Sequence, residues 1–328
     1  MKVLVTGGAG YVGSEAAWHI VDRDHEVLVY DDLSHGHPKS VAGLPLIHGS
    51  LHDRTTLETV LHDERIDAVV HFAAFALVAE SVADPAAYYR NNVVGSLALL
   101  EAMRATGVGH IVFSSSCATY GNPATTPIPD DGPQHPVNPY GFTKLVTERA
   151  LGDYAPAYGL SFAALRYFNA AGAAADASRG EDHDPETHAI PIALQVALGQ
   201  RDRFMIFGDD YPTPDGTCVR DYIHVEDLAR AHELALRRVD PGRGILVNLG
   251  TGRRHSVRQV VESARRITGH PIPTEIADRR PGDPPELVAD PAGARAELGW
   301  VARIRDLDQI VGSAWNWHVT HPHGYADG

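Results

Sequence analysis

The chain has 328 residues, sets 28 Lys and Arg against 42 Asp and Glu for a formal charge of −14, and contains two cysteines. At one domain per ~150 residues, that length allows about two domains and a core that needs no covalent staples. So acidic a surface argues against binding duplex nucleic acid, which draws on clustered Lys and Arg, while a small basic pocket for a phosphorylated metabolite stays compatible with it. Cys117 and Cys218 could form at most one bridge and match no metal-ligand spacing. Met1-Lys2 runs straight into Val3-Leu4-Val5-Thr6 with no secretory leader pattern, and no run approaches the ~20 apolar residues of a spanning helix. A soluble cytoplasmic protein without nucleic-acid or membrane partners is therefore expected.

In chain order, β-branched strand runs at Val3 to Thr6, Glu26 to Tyr30, Ala68 to Phe72, His110 to Ser114 and Ser161 to Tyr167 are separated by helical stretches. The helical stretches are Gly13 to Arg23, Thr55 to Asp63, Asn91 to Ala105 and Pro139 to Tyr154. Runs apolar on both faces and joined by crossovers indicate a parallel sheet covered on both sides, hence a doubly wound, Rossmann-like α/β domain. After Asn169 the pattern loosens into turn-rich segments, and a sheet-like run returns at Gly244 to Asn248. The chain therefore divides into residues 1–168 with 220–250 as a dinucleotide-binding part, and 169–219 with 251–328 as a smaller, interleaved α/β substrate part.

Between the first strand and helix stands Thr6-Gly7-Gly8-Ala9-Gly10-Tyr11-Val12-Gly13. Glycines at 7, 10 and 13 permit a tight turn, let backbone N–H groups reach a pyrophosphate at a helix N-terminus, and allow close helix–strand packing. Asp31 ends the second strand, where a carboxylate can bind both hydroxyls of an adenine ribose and repel a 2′-phosphate. With Asp32 adjacent and no arginine close by, NAD is preferred over NADP.

The second signal is Tyr140-Gly141-Phe142-Thr143-Lys144 after Asn138-Pro139. Asn as N-cap and Pro at the first helical position start a helix here, placing Tyr140 and Lys144 one turn apart. A lysine ammonium there favours phenolate, making Tyr140 a candidate acid/base. Phe113-Ser114-Ser115-Ser116 closes the fourth of these strands at the carboxyl edge, where a serine hydroxyl can orient the oxygen that the tyrosine deprotonates.

These motifs resemble the extended short-chain dehydrogenase/reductase family, within it the branch that epimerises UDP-hexoses. The similarity spans nearly the whole chain, through His71-Phe72-Ala73-Ala74, Tyr89 to Val93, Leu165 to Asn169, Ile206 to Thr213, Val219 to Val225 and Arg279 to Asp283. It implies redox-neutral inversion at C4 of a UDP-hexose on bound NAD. Tyr140 would take the 4-hydroxyl proton, Ser116 would share that hydrogen bond, and Lys144 would hold the nicotinamide ribose and lower the Tyr140 pKa.

On the cofactor side the resemblance also carries Tyr11, Val12, Ser50, Leu51, Phe72, Ala73, Ala74, Asn91, Ser114 and Tyr167. On the substrate side it carries Asn169, Arg220 and Arg280 at the diphosphate, Phe207 against the uracil, Asp283 at the uridine ribose, and His188 near the nucleotide. Ala76 stands where many members place a lysine toward the pyrophosphate, and Ser50 where an aspartate meets the adenine amine. Leu287 replaces a bulkier tyrosine beside the sugar 2-position, which makes room for an N-acetyl group.

A 4,6-dehydratase would need an acid and a base where Cys117-Ala118 stand. A net dehydrogenase would accumulate NADH, and a binding-only nucleotide sensor would not need the Tyr–Lys pair. The sequence holds 19 histidines. Neither His183 with His188 nor His318 with His321 and His323 forms a recognised zinc pattern, so no metal is expected and these read as solvated loop and terminal residues. The resemblance implies a homodimer paired through Asn91 to Ala105 and Pro139 to Tyr154.

Overall fold

The computed structural model describes residues 1–238, 240, 242–280 and 282–326. Its strands are β1 (Lys2–Thr6), β2 (Glu26–Asp31), β3 (Leu46–His48), β4 (Ala68–His71), β5 (His110–Ser116), β6 (Ser161–Tyr167), β7 (Asn169–Ala171), β8 (Phe204–Phe207), β9 (Val219–Arg220), β10 (Tyr222–His224), β11 (Gly244–Leu249), β12 (His255–Ser256), β13 (Thr274–Ala277) and β14 (Glu286–Leu287). The helices are α1 (Tyr11–Val21), α2 (Arg54–Asp63), α3 (Val78–Ala83), α4 (Pro85–Tyr88), α5 (Gly95–Thr106), α6 (Pro139–Tyr158), α7 (Ala189–Ala197), α8 (Val225–Arg238), α9 (Val257–Thr268), α10 (Ala292–Leu298) and α11 (Leu307–Thr320).

Seven strands form a parallel sheet in the order β11-β6-β5-β4-β1-β2-β3. The order reverses between β1 and β4, which opens a crevice at the carboxyl edge. In register there, Thr6 lies beside Tyr30 and His71, and Ser116 beside Tyr167. Alternation explains the unbroken apolar runs. Val3 and Val5 pack toward α8 residues such as Leu228 and Ala231, whereas Leu4 joins Leu57, Leu99 and Leu151 of α2, α5 and α6.

The smaller part gathers α7, α9 and α11 with the paired β8 and β13 around Leu194, Ile206, Val260 and Ile310. Ala294 and Leu298 of α10, with Trp300, pack instead in the core that holds Val247 of β11. By packing, this segment of residues 251–328 sits with the main sheet. Cys117 and Cys218 are buried and unpaired. Among the described residues no helix is long and apolar enough to cross a membrane.

Candidate active site

At the β1–α1 turn, Gly7 has φ +69°, and a Cβ there would lie 2.4 Å from the Ala73 nitrogen. A Cβ on Gly13 would meet the Gly7 carbonyl at 2.2 Å. The glycines thus let the turn close on the β4 loop, whose Phe72 and Ala73 amides donate to the Thr6 carbonyl at 2.8 and 3.1 Å. Gly10, the N-cap of α1, offers no side-chain cap to the N–H groups of the first turn, which begins with Tyr11 and Val12. The Asp31 carboxylate ends β2 beside this turn and accepts from the Ala9 and Leu33 amides at 2.9 and 2.8 Å. Burial raises its pKa against those two hydrogen bonds. The glycine cradle, the uncapped helix start and this carboxylate fit NAD.

The flanking residues divide into those at the crevice and those turned elsewhere. Asp32 is exposed and caps its own turn by accepting from the Ser34 amide and hydroxyl, at 3.0 and 2.6 Å. Ser50 accepts the Tyr30 hydroxyl on its carbonyl, while Leu51 is buried in the core. Ala74 is half-buried and Ala76 exposed. Asn91 donates to the Asn92 carboxamide at 3.0 Å. Asn92, which sequence reading did not single out, binds the Phe75 amide and carbonyl and the Thr143 hydroxyl, tying the cofactor loop to α6.

Helix α6 begins as its sequence dictates, with Asn138 accepting from the Gly141 amide at 2.8 Å and Pro139 in the first turn. A Cβ on Gly141 would be 2.4 Å from the Ala118 carbonyl, so glycine is what lets Tyr140 sit against the end of β5. There the Ser116 hydroxyl interacts with the Tyr140 phenol. Ser114 pairs its hydroxyl with that of Tyr167.

In the protein without its cofactor, burial is the largest influence on both Tyr140 and Lys144. Burial pushes Tyr140 up to about 12, with the Ser116 hydrogen bond opposing, and pushes Lys144 down to about 7, offset in part by Glu148. Lys144 Nζ lies 5.9 Å from the Tyr140 ring centroid and donates to the Ser114 carbonyl at 2.7 Å. In the protein alone, desolvation therefore favours the neutral form of each.

Beneath the serines lies a network absent from the sequence reading. Glu148 accepts from Arg166 Nε and Nη2 at 2.8 Å each, from Ser115 at 2.5 Å and from Gln134 at 2.8 Å. Arg166 also donates to the Tyr120 hydroxyl and the Asp130 carbonyl. Its signal is a charged residue one place from the carboxyl end of a largely apolar strand.

At the other end of the crevice, Asn169 opens β7 with its amide on the Asp221 carbonyl. Arg220 is buried, donates to the Val219 and Pro284 carbonyls, and pairs with Asp283 at 2.6 Å. The Arg280 guanidinium stacks 3.9 Å from the Phe207 ring centroid; the neighbouring Pro281 lies outside the described residues. Leu287 packs with Cys117, Tyr120, Ile128 and Phe168, joining the nucleotide end to the tyrosine end. Burial pushes the Cys117 thiol up to about 12, with Arg220 opposing.

His188, the N-cap of α7, turns its Nδ1 to Glu181 and Glu186 at 2.7 and 3.3 Å. His183 faces the same carboxylates at 3.3 and 3.8 Å. The reading of these rings as solvated holds in part: both Nδ1 atoms are buried while the side chains stay 26% and 41% exposed, and it is corrected for His318, which is buried. The missed partners carry a signal in the sequence, a Glu-x-His pair repeated five residues on as Glu181-x-His183 and Glu186-x-His188.

A doubly wound sheet, a glycine turn with an acidic strand end, and a Tyr–Lys helix facing a serine together define an NAD-dependent enzyme of the short-chain dehydrogenase/reductase type. More narrowly, the chain belongs to the NAD dependent epimerase/dehydratase family, whose model matches residues 3–250. It is 50% identical over 327 residues to a UDP-glucose 4-epimerase of Halalkalibacterium halodurans, covering 99% of this chain and 98% of that protein. Among solved structures it is similar to UDP-glucose 4-epimerase from Brucella ovis in complex with NAD (50% identity, TM-score 0.93, 96% and 97% of the two chains). It is also similar to that from Bifidobacterium longum in complex with NAD+ and UDP (38% identity, TM-score 0.95, 99% and 100%).

Proposed function

We infer that the chain is an isomerase that inverts C4 of UDP-glucose and UDP-galactose through a transient 4-keto sugar. The carrying observation is Tyr140 against Ser116 at the carboxyl edge, with only a buried, neutral thiol at the following position. Bound NAD supplies an acceptor and donor of hydride and, when oxidised, a positive charge at the nicotinamide. Tyr140, which burial holds neutral in the protein alone, needs that added charge to act as a base.

Tyr140 Oη takes the 4-hydroxyl proton and returns it, while Ser116 holds the same oxygen in line. Lys144 fixes the nicotinamide ribose. Arg220, Arg280 and Asn169 hold the diphosphate, and Asp283 and Phe207 hold the uridine, so that the sugar turns about a fixed anchor. The dehydratase reading fails at Cys117-Ala118, where the thiol, pushed up to about 12, cannot exchange the protons that elimination across C5 and C6 requires.

Leu287 leaves room beside the sugar 2-position, which supports turnover of UDP-N-acetylglucosamine as well. Exposed Tyr89, Val94 and Phe142, on α6 and the turn leading into α5, support a homodimer through this face. The two unpaired buried cysteines support a reducing cytoplasm.

The test is incubation of the purified holoenzyme with UDP-glucose and, separately, UDP-N-acetylglucosamine. C4 epimers are resolved by chromatography while reduced-nicotinamide absorbance is followed. C4 epimers without NADH accumulation are expected; an oxidised product with stoichiometric NADH would make the chain a dehydrogenase.

A further inference from the structure

We propose that Glu181, His183, Glu186 and His188 form a binding site for a divalent first-row transition-metal ion, Zn2+ in kind, which fastens the segment entering α7 behind the dinucleotide turn. None of the proton or hydride steps uses this cluster, of which only His188 stands, by the family resemblance, near the nucleotide. One ligand atom from each of the four side chains lies within 4.8 Å of all the others. Two carboxylates, with side chains only 5% and 3% exposed, are thus held together under two imidazoles. Buried carboxylates this close repel unless a dication or two protons neutralise them.

Geometry favours the dication. The His–Glu separations are 2.7, 3.3, 3.3 and 3.8 Å, yet neither His183 Nδ1 nor His188 Nδ1 makes a hydrogen bond. The ring nitrogens therefore converge with the oxygens around a shared point without aligning N–H on acceptor. A tetrahedron with ligands at about 2.0–2.2 Å has edges of about 3.3–3.6 Å, inside the range these atoms span. Two imidazoles and two carboxylates suit Zn2+ or Co2+ better than the all-oxygen shells of Ca2+ and Mg2+.

The surroundings are those of a supported site. Glu186 Oε1 accepts from the Thr187 and His188 amides at 2.7 Å each, which fixes the carboxylate between the two rings, Oε1 toward His188 and Oε2 toward His183. A cleft lined by Glu181, His183, Glu186, His318, His321 and His323 gives an entry path. On the inner side the His183 ring meets Tyr11 edge-on at 6.3 Å, and the Tyr11 hydroxyl donates to the Gly172 carbonyl at 2.6 Å. Four protein ligands leave no open position, so the role is structural.

The test is to strip the purified holoenzyme with a chelator and titrate it with Zn2+ and with Co2+. Metal content, the visible spectrum of the Co2+ form and the thermal midpoint are read, alongside a His183→Ala variant and a double His321→Ala, His323→Ala variant. One Zn2+ bound per chain, an intense tetrahedral Co2+ spectrum and a raised midpoint are expected. The His183→Ala change should weaken binding by ~10–100-fold or more, and the double variant should keep both signals. No retained metal and no tetrahedral spectrum would overturn the proposal and leave two imidazolium–carboxylate pairs. Binding lost only in the double variant would overturn it in favour of the surface histidines. If His183→Ala does not fold, anomalous scattering at the zinc edge from crystals of the unaltered protein locates the ion at the four ligands or elsewhere.

Discussion

Lys144 Nζ donates to the Ser114 carbonyl at 2.7 Å, so the helix that carries Tyr140 is bonded to the strand that carries Ser116 through a lysine whose charge burial disfavours. This lysine therefore has a mechanical role, holding α6 to β5, besides the role at the nicotinamide ribose proposed for it.

Lys144 is one of three lysines in the chain, which makes its titration visible by NMR of isotopically labelled lysine amines. In cofactor-free protein one signal should titrate near pH 7, since burial lowers this group from 10.5 to about 7. Between those values the unfolded chain binds the extra proton, so this group's contribution to stability grows as pH rises through that window. Three signals titrating near 10.5 would contradict the desolvated site.

Replacing Tyr140 with Phe removes the proton acceptor and keeps the ring. The expected outcome is a fall in kcat of ~10²–10⁴-fold with little change in KM or thermal midpoint. Steady-state kinetics and a melting curve check it, and unchanged kcat would assign the proton to another group.

The Glu148–Arg166 pair is buried on both sides, at 2% and 4% side-chain exposure. A Glu148→Gln change leaves the guanidinium without its charge partner and should cost about 3–5 kcal/mol. Denaturant unfolding measures it, and a loss below about 1 kcal/mol would show that the network contributes little.

Leu287 is 9% exposed and packs against Cys117 and Phe168. If it sets the space beside the sugar 2-position, Leu287→Tyr should lower kcat/KM for UDP-N-acetylglucosamine about 10–200-fold more than for UDP-glucose. Equal losses on both sugars, or no turnover of the N-acetyl sugar by the unaltered enzyme, would contradict that placement.

What the sequence discloses follows from how local each signal is. The β1–α1 glycines, Asp31 at the strand end and the Asn138-Pro139 start of α6 are contiguous patterns, and the structure places each element within a few residues of its expected position. The edge strand β3 leaves no mark in the sequence, because three half-buried or exposed residues carry no periodicity. The helix expected from Asn91 opens as a π-helical turn over Tyr89–Val94, a change of hydrogen-bond partner that no composition marks. The pairing of Glu148 with Arg166, and the meeting of Glu181 with His188, are tertiary. They depend on which strand lies under α6 and on how the loop before α7 folds back.

The most direct test of the central claim is to follow UDP-glucose deuterated at C4 through the holoenzyme. Transfer out and back at the same carbon, with only the hydroxyl proton passing through Tyr140, predicts UDP-galactose that keeps its label at C4 while no NADH accumulates. Loss of the label to solvent, or its appearance in released NADH, would contradict the account.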